Sequence, residues 1–470
     1  MPPRTSLKTF LSTARAALTA PSSKRASPLT FVVGNESADL DSLCSALLLA
    51  YFRTYSPLTK RASSGNNDRV DIANTLHIPI CHLQRADLAL RPEFAAVLRD
   101  ADVKGEDVFT LEDVLGGSNN DKKHSIRPED TRWLLVDHNA MTGALGKVFG
   151  SRVFGCVDHH ADEDVVPRDA EIRVIEKSGS CMSLVVERYA DSWEVVLGSS
   201  NANNSSSLLR GNGKGDQGTT TTTMSESSSE IDAQLARLAL APILIDTTNL
   251  GDKNKTTAHD ERAVSLAEGK LAAHLEEKKD DGEGGGGGGG EKYDRNNFFK
   301  RIMDLKENIA DMSFRDVFRK DYKEWWIEGA AQDLGLGTSS VPRGFDYLVD
   351  TKSSGDAAVF VDALEDWGEE KDERGKMDLV VVLTGFQDGD GEFRRELLVW
   401  ARSEAGVRAA KLFEEKWADK LGLETWRDGV LDLKGDDGWR RCWAQRAVEH
   451  SRKQIAPMLR DALKEIAGGG

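Results

Sequence analysis

Short apolar runs that stop abruptly at acids and imidazoles set the pattern of this chain. Leu29 to Val33 runs into Gly34-Asn35-Glu36-Ser37-Ala38-Asp39-Leu40-Asp41-Ser42, and a helical stretch from Leu43 to Phe52 follows. Trp133 to Val136 ends in Asp137-His138-Asn139, Arg152 to Val157 ends in Asp158-His159-His160, and Leu238 to Ile245 ends in Asp246-Thr247-Thr248-Asn249. Continuous apolar runs alternating with helical stretches predict buried strands of a parallel sheet, hence an α/β fold. A parallel sheet gathers its strand ends on one edge, and that edge is where such sheets bind ligands. Neighbouring strand residues point to opposite faces, so His159 and His160 can do different work.

The remaining pattern fills in this frame. His77 to His82 and Glu171 to Ile175 predict further strands, and Glu93 to Arg99 and Thr257 to Leu275 predict helices. The small-residue turn Gly179 to Ser183, before a helix at Leu184 to Tyr189, is a place that could hold phosphate. Ser199 to Glu230 has the composition of a disordered insertion. The glycine-rich stretch from Glu276 divides the chain into residues 1–275, a linker at 276–295, and residues 296–470. Beyond it, Asn297 to Asp311 and Gly406 to Leu421 predict helices, and Phe345 to Val349, Leu379 to Thr384 and Leu397 to Ala401 predict strands. Pro457 suits the first turn of a last helix, which puts Arg452 and Lys453 just before its N-terminus, well placed to grip phosphate. At the other end, Leu7, Phe10, Leu11, Ala14 and Leu18 have the spacing of an amphipathic helix docked on the first domain. The competing reading is a mitochondrial presequence, because Met1 to Ala20 carries Arg4, Lys8 and Arg15 and no acid.

Charge and cysteine content narrow the function. The net charge of −16 over 470 residues argues against nucleic-acid or membrane partners, so an anionic substrate would need locally concentrated positive charge. Five scattered cysteines without a Cys-x-x-Cys pair read as reduced thiols, which predicts a cytoplasmic protein. No apolar run approaches the roughly 20 residues of a membrane span. His77, His82, His124, His259 and His274 lack an acidic strand-end setting and read as structural or surface residues, and Arg315, Arg319 and Lys320 as a solvated face.

Carboxylates with one or two imidazoles suit Mn²⁺, Mg²⁺ or Co²⁺. In this order, Gly-Asn-x-x-x-Asp-x-Asp-Ser at 34–42, Asp-His-Asn at 137–139, Asp-His-His at 158–160 and Asp-Thr-x-Asn at 246–249 resemble the DHH phosphoesterase superfamily. Asp321-Tyr-Lys323-Glu-Trp and Ser451-Arg-Lys-Gln resemble the C-terminal domain of family II pyrophosphatases, eukaryotic exopolyphosphatases and prune-type proteins, and Leu83 to Glu93 resembles the exopolyphosphatase branch. The resemblance implies a parallel-sheet DHH domain, a smaller C-terminal α/β domain, and an active site in the cleft between them that closes on the linker. It implies two divalent ions, one held by Asp39 and Asp137 with Asn35 nearby. The other would be held by Asp41, Asp137, His159 and Asp246. His160 would face the phosphate, Asp158 would orient a histidine, and Lys323, Ser451, Arg452 and Lys453 would bind substrate. Asn35 stands where the pyrophosphatases carry a histidine, and exopolyphosphatases resemble this chain in having Asn there. The implied function is an exopolyphosphatase acting, as a monomer, on inorganic polyphosphate. The rival readings are a pyrophosphatase or nucleotide phosphodiesterase on the same scaffold, a single-strand exonuclease of the superfamily, and a metal-binding scaffold with a dead site.

Overall fold

The computed structural model describes residues 5–55, 75–116, 126–191, 193, 227–280, 293–329, 333–372, 375–435 and 438–468. The chain forms two compact units, Met1–Leu305 and Lys306–Gly470.

In the first unit the strands are β1 (Leu29–Val33), β2 (His77–Ile80), β3 (Thr131–Val136), β4 (Val153–Asp158) and β5 (Ile172–Ile175). They form one sheet in the order β2-β1-β3-β4-β5, and every neighbouring pair is parallel. All five residues of β1 are buried, as expected of a strand covered on both faces. The helices are α1 (Leu7–Thr19), α2 (Leu40–Tyr55), α3 (Pro92–Asp100), α4 (Leu111–Leu115), α5 (Gly143–Phe149), α6 (Cys181–Arg188), α7 (Ser228–Asp246), α8 (Ala258–Asp280) and α9 (Arg295–Glu307). The apolar stripe of α1 is buried in the core, as its spacing predicts.

Three expectations change here. The run before Asp246 is no strand but the end of α7, a helix of 19 residues capped by the Ser227 hydroxyl. An apolar run reads alike in a strand and a buried helix, and length decides between them. The same helix takes the last residues of the expected insertion, Ser227 to Glu230, and the stretch 199–226 lies outside the described residues. The glycine run at 284–290 also lies outside them, and the units divide after Leu305, because Phe298 and Ile302 of α9 are buried in the first core. All five cysteines are buried and free. No helix among the described residues is long and apolar enough to cross a membrane.

The second unit is a mixed sheet with cores on both faces. Its strands are β6 (Tyr322–Ile327), β7 (Leu334–Val341), β8 (Met377–Thr384), β9 (Phe386–Gln387), β10 (Phe393–Ala401), β11 (Leu423–Thr425), β12 (Leu433–Gly435) and β13 (Gly438–Gln445). The main path runs β11-β13-β10-β8-β7-β6, with β7 and β8 the parallel pair. Its helices are α10 (Phe314–Lys320), α11 (Ala357–Glu370), α12 (Glu404–Leu421) and α13 (Arg452–Gly468). The strand expected at Phe345 to Val349 is instead helical, with a π-helical turn over Tyr347–Lys352. The true strand, β7, was hidden by its Leu-Gly-Leu-Gly start, since glycine weakens a strand pattern. The last helix begins at Arg452, so Arg452 and Lys453 lie in its first turn and Pro457 lies in its interior.

One buried carboxylate makes this unit sensitive to pH. Glu396 on β10 accepts the Phe345 backbone N–H at 2.6 Å. Burial pushes its carboxyl up to about 7. An acid raised in the folded state binds its proton more tightly there than in the unfolded chain. Its stabilising contribution is complete below the unfolded value near 4.5 and is lost as pH rises through about 7. Glu396→Gln, which stays neutral, is expected to unfold at higher urea than the wild type at pH 8, by about 2–3 kcal/mol, and to match it at pH 5. Equal midpoints at both pH values would remove Glu396 as the cause.

Candidate metal centre

Asp137 follows β3 directly and is the hub of the site. Its φ of 60° is left-handed, yet its N–H still donates to the Val157 carbonyl at 3.0 Å, so the carboxylate is aimed off the sheet edge from a fixed backbone. Asn and Asp are the ordinary non-glycine occupants of that conformation. Asp137 Oδ2 accepts from Asn35 Nδ2 at 2.8 Å and from Ser42 Oγ at 2.6 Å. Asn35 Nδ2 also reaches the Asp137 carbonyl at 3.1 Å, and Asn35 Oδ1 accepts from Ser37 N at 2.8 Å. Both ends of the Asn35 amide are therefore engaged with protein, and its work here is to hold Asp137. Ser42 comes close because the preceding strand end is a glycine: a Cβ on Gly34 would lie 2.6 Å from that of Ser42.

The other oxygen, Asp137 Oδ1, faces two imidazoles, His159 Nε2 at 3.2 Å and His160 Nδ1 at 3.6 Å. His159 Nδ1 lies 2.9 Å from the Ser178 carbonyl, an acceptor that fixes a proton on Nδ1 and turns Nε2 toward Asp137. An imidazole nitrogen and a carboxylate oxygen thus face each other, and in the neutral ring both are donors that a cation could take. Asp137, His159 and His160 present ligand atoms all within 4.8 Å of one another. Oxygen plus imidazole donors suit a divalent ion of the Mn²⁺ or Mg²⁺ kind.

His160 is held from behind. Asp158, fully buried, accepts from His160 Nδ1 at 2.8 Å and from the N–H groups of His159 at 2.8 Å and His160 at 3.2 Å. Asn139 Nδ2 donates to its other oxygen at 2.6 Å. Burial pushes the Asp158 carboxyl up, but these hydrogen bonds and the His160 charge outweigh it and hold the group at about 2. Asp158 is thus an anchored anion that orients His160.

The remaining sequence-predicted acids stand around this group. Asp39 caps α2, accepting from Ser42 N at 3.0 Å. Asp41 is buried against the N-terminus of α6, where Cys181 N at 2.6 Å, Met182 N at 3.0 Å and Ser180 Oγ at 2.8 Å donate to it. The small-residue turn expected to hold phosphate therefore holds an internal carboxylate. Asp246 closes α7 and is not one of the three residues in the close group. Burial raises Asp137 well above the ordinary carboxylate range, and the charges of Asp39 and Asp41 add to the rise while His159 opposes it.

In the second unit, Asp321 joins two of the expected phosphate binders. Arg452 donates to the Asp321 carbonyl at 2.8 Å and carboxylate at 2.7 Å, two residues before Lys323 on β6. Ser451 and Gln454 form a reciprocal cap on α13, with Ser451 N donating to Gln454 Oε1 at 2.9 Å and Lys453 N to Ser451 Oγ at 3.3 Å. Ser451 thus has a structural duty.

Sequence reasoning passed over several supporting residues. Asn139 lay inside the Asp-His-Asn motif and was given no role. Arg91 is buried and donates to the carbonyls of Ser37 at 2.8 Å and Ala38 at 3.0 Å, pinning the loop before Asp39. His138 is not one of the close group: its Nδ1 lies 2.8 Å from the Val136 carbonyl, and burial brings it down to about 4.

Crowded buried carboxylates cost stability until a cation joins them. Asp137→Asn keeps the left-handed backbone and removes one negative charge. The metal-free variant is expected to melt at or above the wild-type temperature. It is also expected to lose most of the rise in melting temperature that Mn²⁺ binding is expected to give the wild type by mass action. An undiminished Mn²⁺-dependent rise would overturn the role of Asp137.

Residues 30–207 match the DHH family, N-terminal domain, and residues 300–462 match the DHHA2 domain. A Schizosaccharomyces pombe protein named "Putative exopolyphosphatase" is 28% identical over 93% of this chain and 92% of its own length. Human and rat proteins named exopolyphosphatase PRUNE1 are 23% and 24% identical over 97% of this chain and 79% of theirs. Among solved structures, a Methanococcus jannaschii "putative family II inorganic pyrophosphatase" shares the fold, with a TM-score of 0.50 at 18% identity over 92% of this chain and 99% of that one. The first unit thus carries a match to the DHH family, N-terminal domain, and the second a match to the DHHA2 domain.

Proposed function

We propose that this protein is an exopolyphosphatase, releasing terminal orthophosphate from inorganic polyphosphate with the help of divalent metal ions. The observation that carries the reading is the Asp137–His159–His160 group on the carboxyl edge of the sheet, with the second nitrogen of His159 tied to a backbone carbonyl. The names of the S. pombe and mammalian relatives support the substrate. Asp137 and His159 would hold metal, with Asp39, Asp41 and Asp246 the further acids of that set. When bound, Mn²⁺ or Mg²⁺ supplies positive charge to the phosphoryl oxygens and lowers the pKa of water.

The chain's own residues do the rest. Asp158 fixes His160 through Nδ1, so the imidazole is oriented to donate from its other nitrogen to the bridging oxygen of the scissile bond. Water adds to the terminal phosphorus, the P–O–P bridge breaks, and the shortened chain leaves on that oxygen. Arg452, fixed on Asp321, together with Lys323 and Lys453 would neutralise the phosphates of the chain. The acidic surface elsewhere makes such local charge necessary. The location we propose is the cytoplasm.

Turnover of polyphosphate, pyrophosphate and a cyclic nucleotide, measured side by side with Mn²⁺ or Mg²⁺, tests the assignment. Polyphosphate is expected to give the highest kcat/KM. A tenfold advantage for pyrophosphate or the cyclic nucleotide would replace it with the pyrophosphatase or phosphodiesterase reading.

Two variants refine the assignment. Lys453→Ala is expected to raise KM for polyphosphate about tenfold, a loss of ~1.4 kcal/mol, without weakening Mn²⁺ binding. Asn35→His replaces the amide that holds Asp137 with a nitrogen donor. It is expected to tighten Mn²⁺ or Co²⁺ binding and shift the substrate ratio toward pyrophosphate. If neither quantity moves, Asn35 serves only as a tether for Asp137.

A further inference from the structure

The turn from Ser178 to Ser180, between β5 and α6, supports the site from both sides. Its Ser178 carbonyl fixes His159 Nδ1 at 2.9 Å, and its Ser180 hydroxyl, with the first N–H groups of α6, holds Asp41. The turn lies outside the sheet ladder, so its own polar groups need partners elsewhere.

Those partners converge on one residue, Asp260 in the first turn of α8. Asp260 is fully buried. Its Oδ1 accepts from Ser178 Oγ at 3.1 Å, Ser180 N at 3.2 Å and Ser183 Oγ at 2.7 Å, and its Oδ2 from Gly179 N at 2.9 Å, Thr257 N at 2.7 Å and Thr257 Oγ1 at 2.8 Å. The Ser178 hydroxyl is shared with the Ser180 carbonyl at 2.9 Å, and the five other donors already fill the roughly four lone-pair sites of a carboxylate. Nothing is left for a cation or a phosphate, so Asp260 is no ligand. The turn also has no room to slide: a Cβ on Gly179 would meet Thr247 Cγ2 at 2.6 Å and Asp260 Oδ2 at 2.9 Å.

We propose that Asp260 is a positioning residue for the metal centre: it fixes the Ser178–Ser180 turn, and through it the ring orientation and tautomer of His159 and the placement of Asp41. This inference rests on the metal-centre reading above. In Asp260→Asn one oxygen becomes a donor facing other donors, which forces the turn to move. The Ser178 carbonyl then leaves His159 Nδ1.

The test uses the full chain, with Mn²⁺ titrated by calorimetry and Co²⁺ as a spectroscopic probe. For Asp260→Asn, Mn²⁺ affinity is expected to fall ten- to hundredfold, with a changed Co²⁺ visible spectrum. Asp232→Asn is the control, because Asp232 accepts from Trp193 Nε1 at 2.7 Å in the same core, away from the turn. It should lower the urea midpoint without moving either metal readout. Should Asp260→Asn not fold, Ser183→Ala removes a single donor from Asp260 and is expected to weaken Mn²⁺ about threefold. Wild-type affinity and spectrum in a folded Asp260→Asn, or unchanged affinity in Ser183→Ala where the first variant does not fold, would overturn the proposal. So would an equal loss in the Asp232 control. If the wild type itself binds no Mn²⁺, the metal-centre reading fails instead.

Discussion

Carboxylates crowded together at the edge of a buried sheet repel one another, and much of the first unit manages that repulsion. The charges of Asp39 and Asp41 raise the proton affinity of Asp137 on top of the cost of its burial, and the charge of Asp39 does the same to buried Asp41. Each is held by a different device. Asp39 sits on the N-terminus of α2 and Asp41 on that of α6, where helix N–H groups and dipoles favour negative charge. Asp137 has no helix behind it and takes an amide, a hydroxyl and two imidazoles. The acids are kept near one another, at some cost in stability, and a divalent cation is the ligand such an arrangement recovers most from.

The same logic separates the two histidines of the Asp-His-His segment. Their rings stand edge to face, with centroids 4.5 Å apart. One is backed by a neutral carbonyl and the other by a buried anion. The carbonyl turns Nε2 of His159 toward Asp137, whereas the carboxylate fixes the direction in which the His160 ring can donate. Adjacent residues of one type thus acquire different chemistry from what lies behind them.

Much of this could be read in the sequence, and the reasons for the rest are specific. The strands β1, β3 and β4 are apolar runs that end in their functional residues, so the edge of the sheet and its acids stood out. Asp246 was found but assigned to the wrong element, because a buried helix and a buried strand look alike over eight residues. Asp260 was invisible. It lies in an ordinary helical stretch, and its partners are mostly backbone N–H groups and small hydroxyls, which leave no pattern. Arg91 escaped for the same reason, since it holds carbonyls. Ser451-Arg-Lys-Gln was read for its charge, while its first and last residues cap a helix.

The site is also widely scattered along the chain. Asn35 meets Asp137 across 102 positions, Ser180 meets Asp41 across 139, and Asp260 reaches back 81 to Gly179. Contacts this distant close late, because the entropy of the intervening loops opposes them until the rest of the core has formed. On the ribosome, strands β1 to β5 emerge well before α8. A nascent chain therefore holds the acids and histidines of β1 to β4, and the turn beside them, before the residue that ties that turn down has left the exit tunnel.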